Sequence, residues 1–231
     1  MPHQMKFDIP ARPALGRGDF YITESNAVAL GLIDMWPGWP SGKLALVGPH
    51  GSGKTHLVHV WCNESGGRMV AATDLRESDV PELAASSICI EDVERISGDA
   101  ALETALFHLH NLVLANGHTL LMTATLPPAR WGLSLPDLAS RMAGTAVAKM
   151  AAPDDLLLSA VVAKLFADRQ IVPMADVIPY LVRRMPRSFD AAGRIVAHLD
   201  REALGTPKGV TRSLARKAMA ELEFTEETAP D

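Results

Sequence analysis

The sequence predicts an α/β protein with a parallel sheet, followed by a smaller all-helical part. Short apolar runs alternate with helical segments through residues 43–149, and these runs lack the polar alternation of a half-exposed strand. A parallel sheet covered by helices on both faces produces this pattern. From Pro153 onward, helical segments follow one another without a strand signal between them, which indicates a second, helical module.

Five strands and several helices are predicted from this pattern. The strands are expected at 43–47, 68–72, 87–91, 119–124 and 145–149. The stretch "TESNAVALGLIDMW" has helical spacing before the first strand, one helix begins at Lys54, and another covers about 100–115. Four further helical segments are "PDDLLLSAVVAKLFADR", "MADVIPYLVRRM", "SFDAAGRIVAHLDREAL" and "TPKGVTRSLARKAMAEL".

Composition limits where the protein works and what it binds. The 231 residues are 48% hydrophobic and 21% charged, and no apolar stretch reaches the roughly 20 residues of a membrane-spanning helix. The proline-containing residues 1–18 lack the apolar core of a signal peptide, so we expect an extended arm on a cytoplasmic protein. The net charge of −5 argues against binding nucleic acid by charge neutralisation alone. Cys89 lies in the apolar run "SSICI", and together with Cys62 it predicts no disulfide framework.

The stretch "GPHGSGKT" at residues 48–55 has the pattern of a phosphate-binding loop. It follows the strand 43–47 and precedes a helix, which is the context that a Walker A motif requires. Backbone N–H groups at such a helix N-terminus bind anions. Lys54 would contact the outer phosphates, and Thr55 would bind Mg²⁺. The predicted nucleotide-binding residues here are Gly48, Pro49, His50, Gly51, Ser52, Gly53, Lys54, Thr55 and His56.

Two acidic residues end the strand 87–91 and predict a Walker B pair. The first, Glu91, would hold Mg²⁺, and the second, Asp92, would polarise the attacking water. An aspartate is usual at the first position, and Mg²⁺ tolerates poor octahedral geometry badly. We therefore expect slow hydrolysis by this chain, with acidic capping of the next helix as the alternative role of the pair.

Polar residues after the next strand, and the paired histidines, carry weaker predictions. Thr125, at the end of "TLLMTAT", could sense the γ-phosphate or position water, although a threonine there is also a common strand former. The histidine pairs of the sequence lack a third ligand at suitable spacing, so no histidine metal site is expected.

The order of these motifs resembles the AAA+ ATPase module of the bacterial replication initiator DnaA, over roughly residues 19–222. The matching stretches are "FYITESNAVAL", "GPHGSGKTHLVHV", "ICIED", "MTATLPPARW", "LPDLASRMAG" and "RRMPRSFDAAGRIVAHLD". The resemblance implies a three-layer P-loop domain over 19–150 and a helical lid domain with an acidic tail over 151–231. The Ser-Asp pair of the family is replaced around Ala124 and Thr125.

The resemblance also assigns roles to residues outside the P-loop. Phe20, Tyr21 and Ile22 become candidates for contacts with the adenine of ADP or ATP. Arg141 matches the arginine finger, and Arg187 matches the sensor 2 arginine near the phosphates.

The two ends of the sequence point to one branch of these proteins. The initiator continues past its lid into a DNA-binding helix-turn-helix domain, whereas this sequence has one more helix and a short acidic segment. The stretch "QMKFDI" is similar to peptides that bind the bacterial sliding clamp, with Gln4, Met5, Phe7 and Ile9 as the contacts, or else it is an amphipathic strand. This layout resembles the Hda family, which binds the clamp of DNA polymerase III on DNA and promotes hydrolysis of DnaA-bound ATP.

The resemblance therefore implies a regulator whose Arg141 acts on ATP bound by DnaA, with DNA contacted weakly or only indirectly. Self-association stays open. A helicase loader of the DnaC type shares this ATPase core and is the first alternative. The second is a stand-alone P-loop ATPase or kinase, which substantial turnover by the isolated chain would favour.

Overall fold

A computed structural model describes residues 21–203 and 209–226. Its centre is a parallel five-stranded sheet in the order β2-β3-β4-β1-β5. The strands are β1 (Lys43–Val47), β2 (Arg68–Ala71), β3 (Ile88–Glu91), β4 (Leu120–Ala124) and β5 (Ala146–Lys149). Four of the five predicted ranges are one residue too long at one end. At β2, for example, the chain turns into a 3-10 helix at Ala72.

In the described part of the chain, five helices accompany the sheet. They are α1 (Ala27–Asp34), α2 (Lys54–Ser65), α3 (Val80–Leu83), α4 (Ala100–Ala115) and α5 (Pro136–Ala143). The two short helices, α3 and α5, are not predicted from the sequence. Short 3-10 helices fill the connections, and the one that matters for the site is Val93–Ile96, directly after β3.

Alternate residues of β1 enter two separate cores, which makes the P-loop part three-layered. Ala45 and Val47 pack in the core that includes α4 and α5, whereas Leu44 and Leu46 pack with α1 and α2. All five residues of β1 are buried, as are all five of β4. Burial on both faces explains why these strands are nearly continuous apolar runs.

The C-terminal helices have a third core of their own. They are α6 (Asp155–Asp168), α7 (Val177–Val182), α8 (Phe189–Ala203) and α9 (Arg212–Glu226). Phe166, Leu181 and Val196 are central to this core. The helical module that the sequence predicts is therefore present, while the exact limits of the domains remain a prediction.

The two cysteines differ in burial, since Cys89 is buried and Cys62 is partly exposed. Both are free, Cys89 is fully buried, and burial together with the nearby Glu91 raises the pKa of Cys62 to about 11.

Within the described ranges, no helix combines the length and apolar character that a membrane crossing requires.

Candidate nucleotide site and arginine finger

The P-loop joins the end of β1 to the start of α2, and its glycines allow a tight path. Gly51 and Gly53 have positive φ angles of 68° and 95°, which residues with a side chain rarely adopt. A Cβ atom on Gly48 would lie 2.7 Å from the carbonyl oxygen of Met150. The other predicted nucleotide-binding residues lie in this loop or in the first turn of α2: Pro49, His50, Ser52 and His56.

Lys54 lies inside the P-loop. Its Nζ donates hydrogen bonds to the carbonyl oxygens of Gly48, at 2.8 Å, and Pro49, at 3.1 Å. Burial lowers the pKa of Lys54, while the nearby carboxylates, first Asp92 and Glu94, partly oppose this shift. An amine desolvated among backbone carbonyls is placed to exchange those partners for phosphate oxygens.

Thr55 and Glu91, the two predicted metal ligands, touch each other. The hydroxyl of Thr55 donates a hydrogen bond of 2.8 Å to Oε1 of Glu91. Asp92 follows in the left-handed region, at φ 55°, a conformation that costs a residue with a side chain about 1 kcal/mol or more. Hydroxyl and carboxylate oxygens are the ligands that Mg²⁺ prefers, so the donor set fits this ion.

Two hydrogen bonds join the end of β3 to the end of β4. The N–H of Asp92 donates to Oγ1 of Thr123, at 3.0 Å, and the N–H of Thr125 donates to Oε1 of Glu94, at 2.6 Å. Thr125 therefore lies beside the Walker B turn, and its action on a phosphate or a water stays a prediction. Glu94 was missed, and its only sequence signal is its place two residues after the acidic pair at a strand end.

The first residues of α8 lie against the P-loop. The N–H of Phe189 donates to the carbonyl oxygen of Gly51, at 2.8 Å. A Cβ atom on Gly51 would overlap with Oγ of Ser188, and one on Gly53 would lie 2.8 Å from the Phe189 ring. Because Gly51 and Gly53 have no side chains, the start of the lid can lie directly against the P-loop. Ser188 and Phe189 were not predicted as site residues, although they follow Arg187 directly.

Arg187 lies at the connection between the sheet and the lid. Its guanidinium forms an ion pair of 2.5 Å with Asp155 and donates to the carbonyl oxygen of Pro153, at 3.0 Å. Both partners lie at or just before the start of α6. In the sequence, Arg187 directly precedes Ser188 and Phe189, which contact the P-loop. Its contact with phosphate stays a prediction.

The segment before α1 lies next to the same connection. The N–H of Ala151 donates to the carbonyl oxygen of Ser25, at 2.9 Å, and Asn26 donates to that of Tyr21, at 2.8 Å. Tyr21 and Ile22 are exposed, which leaves their side chains accessible to a base. Phe20 and the predicted clamp contacts Gln4, Met5, Phe7 and Ile9 lie outside the described residues.

Arg141 is separated from its own P-loop by the length of β1. Lys43, the first residue of β1, donates from Nζ to the carbonyl oxygen of Arg141, at 2.6 Å, whereas the P-loop follows Val47 at the other end. Four residue steps span about 13 Å at roughly 3.3 Å each. The exposed guanidinium of Arg141 stacks on Phe107, 5.3 Å from the ring centroid.

Comparison with known proteins gives the fold. The chain matches no protein-family model. Domain III of the Thermotoga maritima replication initiation protein DnaA superposes with a TM-score of 0.75 at 18% identity, over 92% of this chain and 98% of that one. The chain has the AAA+ fold of DnaA domain III.

Two other solved structures are similar in the same way. A DnaA bound to AMPPCP and single-stranded DNA gives a TM-score of 0.68 at 18% identity, over 95% of this chain and 72% of that one. A variant of Thermotoga maritima RuvB gives 0.64 at 16% identity, over 89% of this chain and 70% of that one.

A phosphate group fits the P-loop on structural grounds. Ser52 is buried, and its hydroxyl has no hydrogen-bond partner among the described residues. A buried polar atom that lacks a partner is costly unless a ligand or water satisfies it. Together with the P-loop glycines and the Thr55–Glu91 pair, Ser52 gives a phosphate and its metal ion the polar partners that they need.

Proposed function

We propose that this chain is an AAA+ regulator of replication initiation that binds an adenine nucleotide at its own P-loop and supplies Arg141 to ATP bound by DnaA. The position of Arg141 carries the proposal. Arg141 is exposed and lies by the first residue of β1, whereas the P-loop follows the other end of that strand, which supports a role at the nucleotide of a neighbouring protein. An arginine supplied to a phosphoryl-transfer site accelerates hydrolysis by about 10³- to 10⁵-fold.

The chain's own nucleotide has a structural role in this proposal. Lys54 would bind the outer phosphates, and Thr55 with Glu91 would hold Mg²⁺, which neutralises phosphate charge when bound. Ser188 and Phe189 meet the P-loop directly, so a bound phosphate would fix the lid relative to the sheet. Slow turnover follows because Glu91 is one methylene longer than the usual aspartate.

The similar structures support an assignment to replication. The DnaA structure is of an initiator that binds AMPPCP and single-stranded DNA, and it shares the fold of nearly the whole chain. DnaA is therefore the partner that we propose for Arg141.

The tether to the clamp is the second part of the proposal. Residues 1–18 would form an arm whose Gln4, Met5, Phe7 and Ile9 enter pockets of the sliding clamp, followed by the AAA+ domain over 19–150 and the lid over 151–231. An extended peptide that presents alternate side chains gains affinity without a folded core. Loading on DNA-bound clamp would raise the local concentration of the regulator near the initiator.

Phosphate release from ATP-loaded DnaA tests the proposal. The assay contains clamp loaded on DNA and compares the wild-type chain with Arg141→Ala and with Arg216→Ala, an exposed arginine on α9 as the matched control. We expect stimulation by the wild type and by Arg216→Ala, and none by Arg141→Ala. Equal stimulation by all three proteins would contradict the proposed role of Arg141. A Gln4→Ala protein that still binds the clamp would contradict the proposed tether.

A stand-alone ATPase is the second candidate, and the hydrogen bonds between the ends of β3 and β4 favour it. The Walker A hydroxyl, the acidic pair and Thr125 are already close together in this chain. Rapid ATP turnover by the isolated protein, without clamp or DnaA, would support this candidate and contradict a structural role for the nucleotide.

A further inference from the structure

We infer that Lys43 and His110 are positioning residues that fix the backbone under Arg141 and so orient the finger. This inference rests on the proposed function, since it describes how the same arginine is presented. Neither residue touches the proposed substrate. Both act through the backbone of α5, the helix that carries Arg141.

A directed chain of hydrogen bonds connects α4, β1 and α5. The ammonium of Lys43 donates to the carbonyl oxygen of Arg141, at 2.6 Å, and lies 3.3 Å from Nε2 of His110. Nδ1 of His110 lies 3.2 Å from Oδ1 of Asn111. Because an ammonium has donors only, we assign Nε2 as the acceptor and place the histidine proton on Nδ1, where it is donated to Asn111.

Lys43 and His110 are both buried, at 7% and 3% exposure, so their charges matter. Burial lowers the pKa of Lys43, and the positive charge of Arg141 lowers it further. Burial likewise lowers the pKa of His110, and the positive charges of Lys43 and Arg141 act in the same direction against the Asn111 hydrogen bond. A neutral His110 therefore accepts from the lysine, and the carbonyl oxygen of Arg141 receives a charge-assisted bond.

The other end of α5 is anchored by a second buried charge. Glu103 on α4 is fully buried and accepts from the N–H groups of Ser134 and Leu135. Burial alone would raise the pKa of Glu103, but these bonds and that from Gly98 lower it overall. Leu135 is the residue directly before α5. Glu103 thus binds the backbone at one end of α5, and Lys43 binds it at the other.

The guanidinium itself is held over an aromatic ring. Phe107 on α4 lies under Arg141 at 5.3 Å, and His110 is three residues further along the same helix. The side chain of Arg141 therefore contacts α4 directly, and its backbone is connected to α4 through Lys43 and His110. A finger that is pre-oriented loses less conformational entropy when it meets a phosphate, and a misplacement of about 1 Å can cost about 10²-fold in rate.

The maximal stimulated rate of Lys43 variants distinguishes a positioning role from a purely structural role. Lys43→Met keeps the apolar stem and removes the ammonium, while Lys43→Arg keeps a donor for the carbonyl. In the DnaA assay with the full chain, we expect Lys43→Met to lower the maximal stimulated rate about 10-fold or more. The concentration for half-maximal stimulation should stay unchanged, and Lys43→Arg should recover part of the rate.

Two single variants separate the failure of this inference from that of the proposed function. If Arg141→Ala keeps full stimulation, the proposed finger is wrong and the inference falls with it. If Arg141→Ala abolishes stimulation and Lys43→Met retains the full rate, only the inference is overturned.

His110→Leu provides a second route should Lys43→Met fail to fold. It removes the acceptor of the lysine without touching β1. We expect a lower maximal rate with unchanged half-maximal concentration, while His110→Gln, which retains an acceptor, should keep most of the rate. Full activity of a folded His110→Leu protein would contradict the inference.

Discussion

The hydroxyl of Thr55 donates a hydrogen bond of 2.8 Å to Glu91, so the first residue pair of the predicted Mg²⁺ site is in direct contact. Thr55 lies in the first turn of α2 after the P-loop, and Glu91 ends β3. The longer glutamate side chain bridges this distance and uses one carboxylate oxygen on the threonine. This geometry leads to a prediction about the chain's own turnover.

Glu91→Asp should raise ATP hydrolysis by the isolated chain. The shorter carboxylate withdraws from Thr55, which leaves room for Mg²⁺ and its waters in the octahedral arrangement that this ion requires. Phosphate release without partners measures the effect, and Asp92→Asn, which removes the carboxylate predicted to polarise water, should lower it. Unchanged turnover in Glu91→Asp would mean that the length of residue 91 does not limit hydrolysis.

Lys54→Met should weaken nucleotide binding by about 10- to 100-fold. The ammonium donates within the P-loop, and hydrogen bonds to charged groups contribute about 1.5 to 3 kcal/mol each. Titration with a fluorescent ADP gives the dissociation constants. Lys217→Met, which removes an exposed lysine on α9, is the control and should bind like the wild type; equal affinity of the two variants would contradict the P-loop assignment.

Gly51→Ala should destabilise the protein more than Gly66→Ala. Both glycines have nearly the same φ, 68° and 67°, so both substitutions incur the left-handed strain of about 1 kcal/mol. Only Gly51 meets Ser188, whereas nothing lies within 4 Å of a Cβ on Gly66. Urea unfolding should give a loss of about 1 kcal/mol for Gly66→Ala and at least about 2 for Gly51→Ala. Equal losses would refute the close contact between lid and P-loop.

Protonation of His110 should make the protein less stable in mild acid. Its pKa is lowered in the folded state by burial and by Lys43 and Arg141, so the unfolded chain binds more protons below about pH 6.5. The free energy of unfolding therefore falls as the pH falls from about 6.5 to the pKa of the folded state. Urea unfolding at about pH 7.5 and about pH 5.5 measures the slope.

His110→Gln should reduce this slope, because glutamine does not titrate. His118→Gln, which changes a half-buried histidine in the loop before β4, is the control and should keep the contribution of His110. A His110→Gln protein with the wild-type slope would show that the buried histidine is not the source.

Local sequence signals predict most of the sheet and the P-loop. The strands β1 and β4 are buried on both faces, so each is an apolar run that stands out without knowledge of its neighbours. The P-loop is likewise contained in one short stretch of consecutive residues. Its Walker B partner is found because an acidic pair directly ends an apolar strand.

Contacts between distant residues account for what the sequence misses. Lys43 and Arg141 are 98 positions apart, and nothing in either local stretch indicates that an amine meets a carbonyl there. The carboxylate of Glu94 accepts from the N–H of Thr125, and the N–H of Phe189 donates to the carbonyl oxygen of Gly51, contacts that no local motif records. The helix α5 was not predicted, although it is 8 residues long like α1, which was.

The central claim is tested most directly by single-turnover hydrolysis of ATP held by DnaA. This chain is added at saturating concentration with clamp on DNA, so that the measured rate reports chemistry after docking. We predict that Arg141→Ala binds with the affinity of the wild type and loses the stimulated rate, by about 10³-fold if the finger has its usual effect. A wild-type single-turnover rate for Arg141→Ala would contradict the claim that this residue acts on the ATP of its neighbour.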